Sequence, residues 1–214
     1  MYLEVKDLKL HIDEPETELT KQISKKLKLQ PLNIKEFRIL RKSIDARKKD
    51  IYFVYNVCVD IPGIKNHRKY INNKDVLEYK EFEYVLEGHG EEKLDGRPVV
   101  IGSGPAGLFA ALILAQKGYK PVILERGLDV DSRTKDVEAL MNEGEFSPRS
   151  NIQFGEGGAG TFSDGKLTTR IKDPRIKLVL DSFVQFGAPE EILFEYKPHI
   201  GTDVLKNVIK NCED

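Results

Sequence analysis

The glycine-rich run Gly102-Ser103-Gly104-Pro105-Ala106-Gly107 has the composition of a ligand-binding turn. This run follows the apolar stretch Pro98-Val99-Val100-Ile101 and precedes a helix-like stretch, Leu108 to Gln116. Glu125 stands eighteen residues past Gly107, at the end of Val122-Ile123-Leu124. The order is strand, glycine turn, helix, strand, acidic residue, which is the layout of a dinucleotide-binding βαβ unit. Gly102 permits a tight turn. Gly104, lacking a Cβ, lets backbone approach a pyrophosphate, and Gly107 lets the helix pack close to the strand. The helix start offers N–H groups and partial positive charge to phosphates. Glu125 is placed to accept hydrogen bonds from an adenosine ribose, and its charge would repel a 2′-phosphate. The plainer alternative is an ordinary strand–turn–helix connection. The flanking order favours the nucleotide.

A second glycine cluster, Phe154 to Leu167, places five glycines in the eleven residues 155–165. It also holds Thr161, Ser163, Glu156, Asp164 and Lys166. So much glycine costs backbone entropy on ordering. It suits a loop that wraps an anionic or planar ligand with backbone N–H groups. A loose surface loop is the alternative reading. His199, in Lys197-Pro198-His199-Ile200-Gly201, precedes a helix start and is a candidate for chemistry or for a structural role. Asp164 and Lys166 are further candidates, against the ordinary reading of solvated loop charges. The sequence has no HExxH, Walker lysine or evident Ser-His-Asp set.

Composition and patterning outline the rest of the fold. The chain has 214 residues, 40% hydrophobic and 32% charged, which fits a soluble globular protein. A net charge of −1 argues against a globally basic nucleic-acid binder. Eleven basic residues do cluster between 21 and 49, opposed within that window by Glu36 and Asp45, while residues 1–20 carry six acids. A solvated helix face and hairpin tip explains them better than a phosphate-rich partner, since aromatic interleaving is sparse. No apolar run approaches a membrane span, and the N-terminus lacks a signal-peptide core. Cys58 and Cys212 are isolated, so reduced thiols, a cytoplasmic location and no cysteine metal site are expected.

Before the glycine turn, residues 2–12 alternate loosely as a strand. Asp13 to Glu16 reads as a helix start, with Leu19, Ile23 and Leu27 at helical spacing. Ile34 to Ile44 and Ile51 to Ile61 read as strands joined by the polar hairpin Asp45 to Asp50, and Glu81 to Leu86 as a further strand. The polar, glycine-rich stretch 88–97 reads as a connection between domains. After Glu125, Asp131 to Glu143 reads as a polar helix, and Asp173 to Phe186 and Thr202 to Asn211 as two more.

The run Gly102 to Ala111 with Glu125-Arg126-Gly127 resembles the FAD fingerprint of two-dinucleotide-binding flavoproteins. The stretch Asn151 to Leu167 (NIQFGEGGAGTFSDGKL), with Arg47-Lys48-Lys49, resembles bacterial FAD-dependent dehydrogenases described as NAD(FAD)-utilising. That resemblance implies FAD, oxidoreductase chemistry on an unknown substrate, and NAD as a candidate electron donor or acceptor. It implies that Gly102, Ser103, Gly104, Pro105, Ala106 and Gly107 line the pyrophosphate. Glu125 takes the ribose with Arg126 beside it, and Gly157, Gly158, Thr161 and Ser163 approach from the second loop. The expected class is α/β: a small N-terminal α+β domain (1–88), a linker (89–97) and a Rossmann-like FAD-binding βαβ domain (98–214). Family members are longer, and two strands are too few for a doubly wound sheet. The nucleotide domain is therefore expected to be incomplete, its C-terminal remainder supplied by a separate chain or missing from a truncated product. The competing functions are an inactive fragment and a non-enzymatic nucleotide-binding protein.

Overall fold

The computed structural model describes residues 2–62, 67–71, 74–86, 88 and 90–213. His89, the first residue of the expected linker, and Asp214, at the end of the expected second domain, lie outside them. Contacts divide the chain into two compact units. One is Met1–Glu83 with Glu190–Pro198, the other Tyr84–Pro189 with His199–Asp214.

The first unit is an antiparallel sheet covered by a helix. Strands β1 (Tyr2–His11), β2 (Glu36–Asp45), β3 (Tyr52–Asp60) and β4 (Val76–Tyr79) lie in the order β2-β3-β1-β4, and α1 spans Leu19–Leu27. The loose alternation of β1 has a physical cause. Leu3 and Val5 face the core at odd positions, Leu8 and Leu10 at even ones, all at most 3% exposed. Side chains in a strand alternate strictly, so an irregularity must intervene. The register with β3 shifts between Val5 and Leu8, where Asp7 takes a φ of 53°. Leu19, Ile23 and Leu27 of α1 close this core, and Lys28 ends the helix in the left-handed conformation.

The fourth strand corrects one expectation. Residues 81–86 form no strand; Val76–Tyr79 does, pairing Tyr2 with Tyr79 and burying Val76. The outer edge of β2 is covered locally by Glu190–Pro198. Lys42 N–H donates to the Phe194 carbonyl at 2.8 Å, and Tyr196 N–H to the Lys42 carbonyl at 2.9 Å. Several basic residues of the 21–49 cluster meet acids outside that window, including Lys42 with Glu16 at 2.7 Å and Arg38 with Glu81 at 2.9 Å.

The second unit is built on β5 (Val99–Ile101), α2 (Pro105–Gln116) and β6 (Val122–Leu124), the expected parallel βαβ arrangement with Val99 opposite Val122 and Ile101 opposite Leu124. Three helices follow: α3 (Val130–Glu143), α4 (Arg175–Gln185) and α5 (Thr202–Glu213). Asp129 caps α3, its carboxylate accepting from the N–H groups of Asp131 and Ser132, and Gly144 ends it at a φ of 76°. Phe109 of α2 meets Phe183 of α4 edge to face at 5.7 Å. Among the described residues this unit's sheet has two strands, and Val99, Ile101 and Leu124 are 57%, 87% and 55% exposed. The chain is thus of mixed α/β class, an antiparallel sheet plus a Rossmann-like parallel βαβ unit. No helix among the described residues is long and apolar enough to cross a membrane.

Candidate functional site

The site grows from the turn between β5 and α2. Gly102 has a φ of 95° and donates its N–H to the Leu124 carbonyl at 2.7 Å, tying the turn to β6. A Cβ on Gly107 would collide with the Gly102 carbonyl and lie 3.4 Å from Val100, so only glycine permits this helix-to-strand approach. Gly104 is different. Its backbone is extended, it caps α2, and a Cβ there would meet no atom within 4 Å. Pro105 occupies the first helical position, where its missing N–H costs nothing, and no side chain caps the helix. The first-turn N–H groups therefore lack a side-chain cap, and the space a Gly104 side chain would fill is open.

Glu125 already has work to do without any ligand. One carboxylate oxygen accepts from the Ser103 N–H at 2.7 Å and its hydroxyl at 3.1 Å; the other accepts from the Gly127 N–H at 2.8 Å. Burial pushes the Glu125 carboxyl up, but the N–H groups of Gly127 and Ser103 outweigh it and hold the group below its ordinary range. A carboxylate offers about four lone-pair positions. The Ser103 N–H and hydroxyl and the N–H groups of Gly127 and Arg126 already draw on them, so a ribose hydroxyl would share an oxygen with these donors. Ser103 itself is buried, its hydroxyl spent on Glu125.

The second glycine cluster is not a loose loop. Its organiser is Arg133, on α3, which is fully buried. Its guanidinium donates to the carbonyls of Asn151, Ile152 and Gly158, each at 2.8 Å, and to those of Gly155 and Glu156. Burial lowers the Arg133 pKa, against the opposing pull of the Glu125 and Glu156 charges. The glycines fit round this side chain. A Cβ on Gly155 would stand 2.7 Å from Arg133 Cδ, and Gly155, Gly157 and Gly158 all have φ between 67° and 118°. Glu156 accepts the Val130 N–H at 2.6 Å, joining the loop to the start of α3.

The two clusters meet. Gly157 N–H donates to the Ser103 carbonyl at 2.8 Å, and a Cβ on Gly158 would lie 3.0 Å from Pro105 Cδ and 3.6 Å from Gly104 Cα. The turn at Gly102–Gly107 and the loop at Gly157-Gly158 are thus in direct contact, with Ser103 and Gly157 buried at the junction. Other expected residues sit differently. Thr161 is fully buried, and its hydroxyl donates to the Glu156 carbonyl at 3.5 Å, beneath the loop. The Ser163 hydroxyl donates to the Gly160 carbonyl at 2.8 Å and accepts from the Gly165 N–H. Arg126 is exposed, with its guanidinium over the Phe154 ring at 5.2 Å. Asp164 and Lys166 pair with each other at 2.6 Å, and exposed His199 lies opposite Lys166 across an antiparallel bridge.

Arg133 escapes a reading of the sequence, because an arginine among the polar residues of Asp131–Glu143 looks like a solvated helix residue. The available signal was indirect: a glycine-dense loop presents many carbonyls that some donor must satisfy.

Comparisons with known proteins match two separate stretches of the chain. Residues 100–144 match a family described as an NAD(P)-binding Rossmann-like domain. Residues 3–60 match a domain of unknown function (DUF8436). An uncharacterized protein of Clostridium beijerinckii is 48% identical over 217 residues, covering 100% of this chain. The chain spans 40% of that relative's length. A thiamine thiazole synthase of Methanococcus maripaludis is 51% identical over 41 residues, 19% of this chain and 16% of that protein.

Proposed function

We propose that this chain supplies the dinucleotide-binding part of an FAD-dependent oxidoreductase. The observation that carries the reading is the contact between the two glycine clusters, Gly157 N–H to the Ser103 carbonyl at 2.8 Å. It sets a second glycine-rich loop against a Rossmann-type turn, where a Cβ on Gly158 would crowd Pro105. The residues fit the group: the start of α2 has no side-chain cap, the space at Gly104 is open, and an ionised carboxylate follows β6 at ribose distance in sequence. The pyrophosphate would lie on Gly102 to Gly107 and Gly157-Gly158, the adenosine ribose on Glu125. A bound flavin supplies the two-electron redox chemistry itself. The chain's own residues bind and orient it: Arg133 fixes the second loop, and Glu125 fixes the turn. Thr161 takes the role of a support under the loop, and Ser163 that of a turn residue.

FAD rather than NAD alone rests on Pro105-Ala106 and on the Asn151–Leu167 loop, through the family resemblance. The matched family's description as NAD(P)-binding favours the second reading, a plain NAD binder. Exposed Val99, Ile101 and Leu124 lie on one face of the β5–β6 pair and support a further element packed over that face. The test is direct. Purified chain is titrated with FAD and with NAD, and its visible spectrum recorded. Flavin absorbance that stays with the protein through gel filtration supports FAD. Uptake of NAD with no uptake of FAD would replace this reading with the second.

A further inference from the structure

We propose that Arg126 and Phe154 form a nucleobase platform, on which the adenine of an adenosine diphosphate group stacks against the Arg126 guanidinium. This rests on the dinucleotide reading above and adds the part of the site that reads the base. Four observations carry it. First, the guanidinium lies over the Phe154 ring at 5.2 Å, and Phe154 is 44% exposed. A planar guanidinium held against one aromatic ring leaves its second face free to continue the stack, which a nucleobase can do.

Second, the backbone brings the two positions together. Gly127 follows Arg126 and Gly155 follows Phe154. A Cβ on Gly127 would collide with Gly155 Cα and stand 2.8 Å from its nitrogen and 3.0 Å from the Arg149 carbonyl. Two glycines in backbone contact set the preceding side chains next to each other. Third, Arg126 forms no ion pair among the described residues, whereas Arg38, Arg47 and Arg175 each pair with a carboxylate. Its charge is not committed to holding the fold. Fourth, Arg126 adjoins Glu125, the ribose candidate, and a base is one glycosidic bond from its ribose. Phe154 acts through Arg126 and is a positioning residue; Arg126 is the base contact.

The experiment titrates the full chain with ADP and UDP by calorimetry, for wild type and for Arg126→Leu, Arg126→Lys, Phe154→Leu and Phe154→Tyr. Both residues are exposed, and unchanged melting temperatures check the fold of each variant. Wild type is expected to prefer ADP over UDP by at least about tenfold, since stacking favours the larger base. Arg126→Leu and Phe154→Leu lose that preference with UDP affinity little changed, and Phe154→Tyr keeps it. Arg126→Lys, which keeps the charge but not the plane, also loses it. Titration with FAD and with NAD then shows which dinucleotide brings the adenine, because the one that uses the platform weakens by the same factor as ADP. If wild type binds ADP and the leucine variants bind it equally well, the platform is wrong and the dinucleotide site stands. If wild type binds none of ADP, FAD and NAD, the dinucleotide reading falls and the platform falls with it.

Discussion

The amide of Gly157 donates to the carbonyl oxygen of Ser103 at 2.8 Å, joining two glycine clusters that lie more than fifty residues apart in sequence. Ser103 is bound on its other side by Glu125, and Gly157 lies in the loop held by Arg133. One network therefore links β6, the glycine turn, the second loop and α3.

Gly104→Ala and Gly107→Ala should separate binding from folding. The Gly104 variant adds a methyl where no atom lies within 4 Å, so stability should change by less than about 1 kcal/mol. Dinucleotide affinity should nevertheless fall, because the methyl fills the approach to the turn. Gly107→Ala drives a methyl into the Gly102 carbonyl and should cost about 1–3 kcal/mol with no ligand present. Paired melting curves and FAD titrations check this. Equal stability losses in the two variants would refute the division of labour.

Arg133→Met should release the second loop. It removes the guanidinium from five carbonyls, of which those of Gly155, Glu156 and Gly158 keep a second donor, and each buried carbonyl left unpaired costs about 1–3 kcal/mol. Amide hydrogen exchange should quicken across residues 151–158 while the β1–β4 sheet is unaffected. Protection of 151–158 equal to that of wild type would show that Arg133 is not the organiser.

Glu125 should leave a mark on acid stability. Its folded pKa is lowered, so its contribution is present above the ordinary value of 4.5 and is lost as pH falls through the folded value. Wild type should lose stability between pH 4.5 and the folded value more steeply than Glu125→Gln, whose curve lacks this component. Melting temperatures measured across that interval decide it. Parallel curves would remove Glu125 from the network.

The sequence allowed the βαβ unit to be placed well because its signals are local: an apolar run, a glycine turn and an acid at fixed spacing. The helix expected at 173–186 is found at Arg175–Gln185, and the one expected at 202–211 at Thr202–Glu213. Where pairing decides, local signals fail. Residues 81–86 have strand-like composition, yet β1 offers its free edge to Val76–Tyr79, whose Val76 fills the core. The cover of β2 by Phe194 and Tyr196 spans some 150 residues of sequence and leaves no local trace. The site divides in the same way. The glycines announce themselves by type, whereas the burial of Arg133 and the inward turn of Thr161 are consequences of packing.

Hydrogen exchange of the full chain with and without FAD reads both glycine clusters in one experiment. Both glycine clusters are held to serve one dinucleotide, so FAD should slow exchange together at residues 102–107 and 155–158, with half-maximal protection at the same FAD concentration. Protection of the turn at 102–107 with exchange at 155–158 unchanged, or no protection of either, would contradict a single site built from the two.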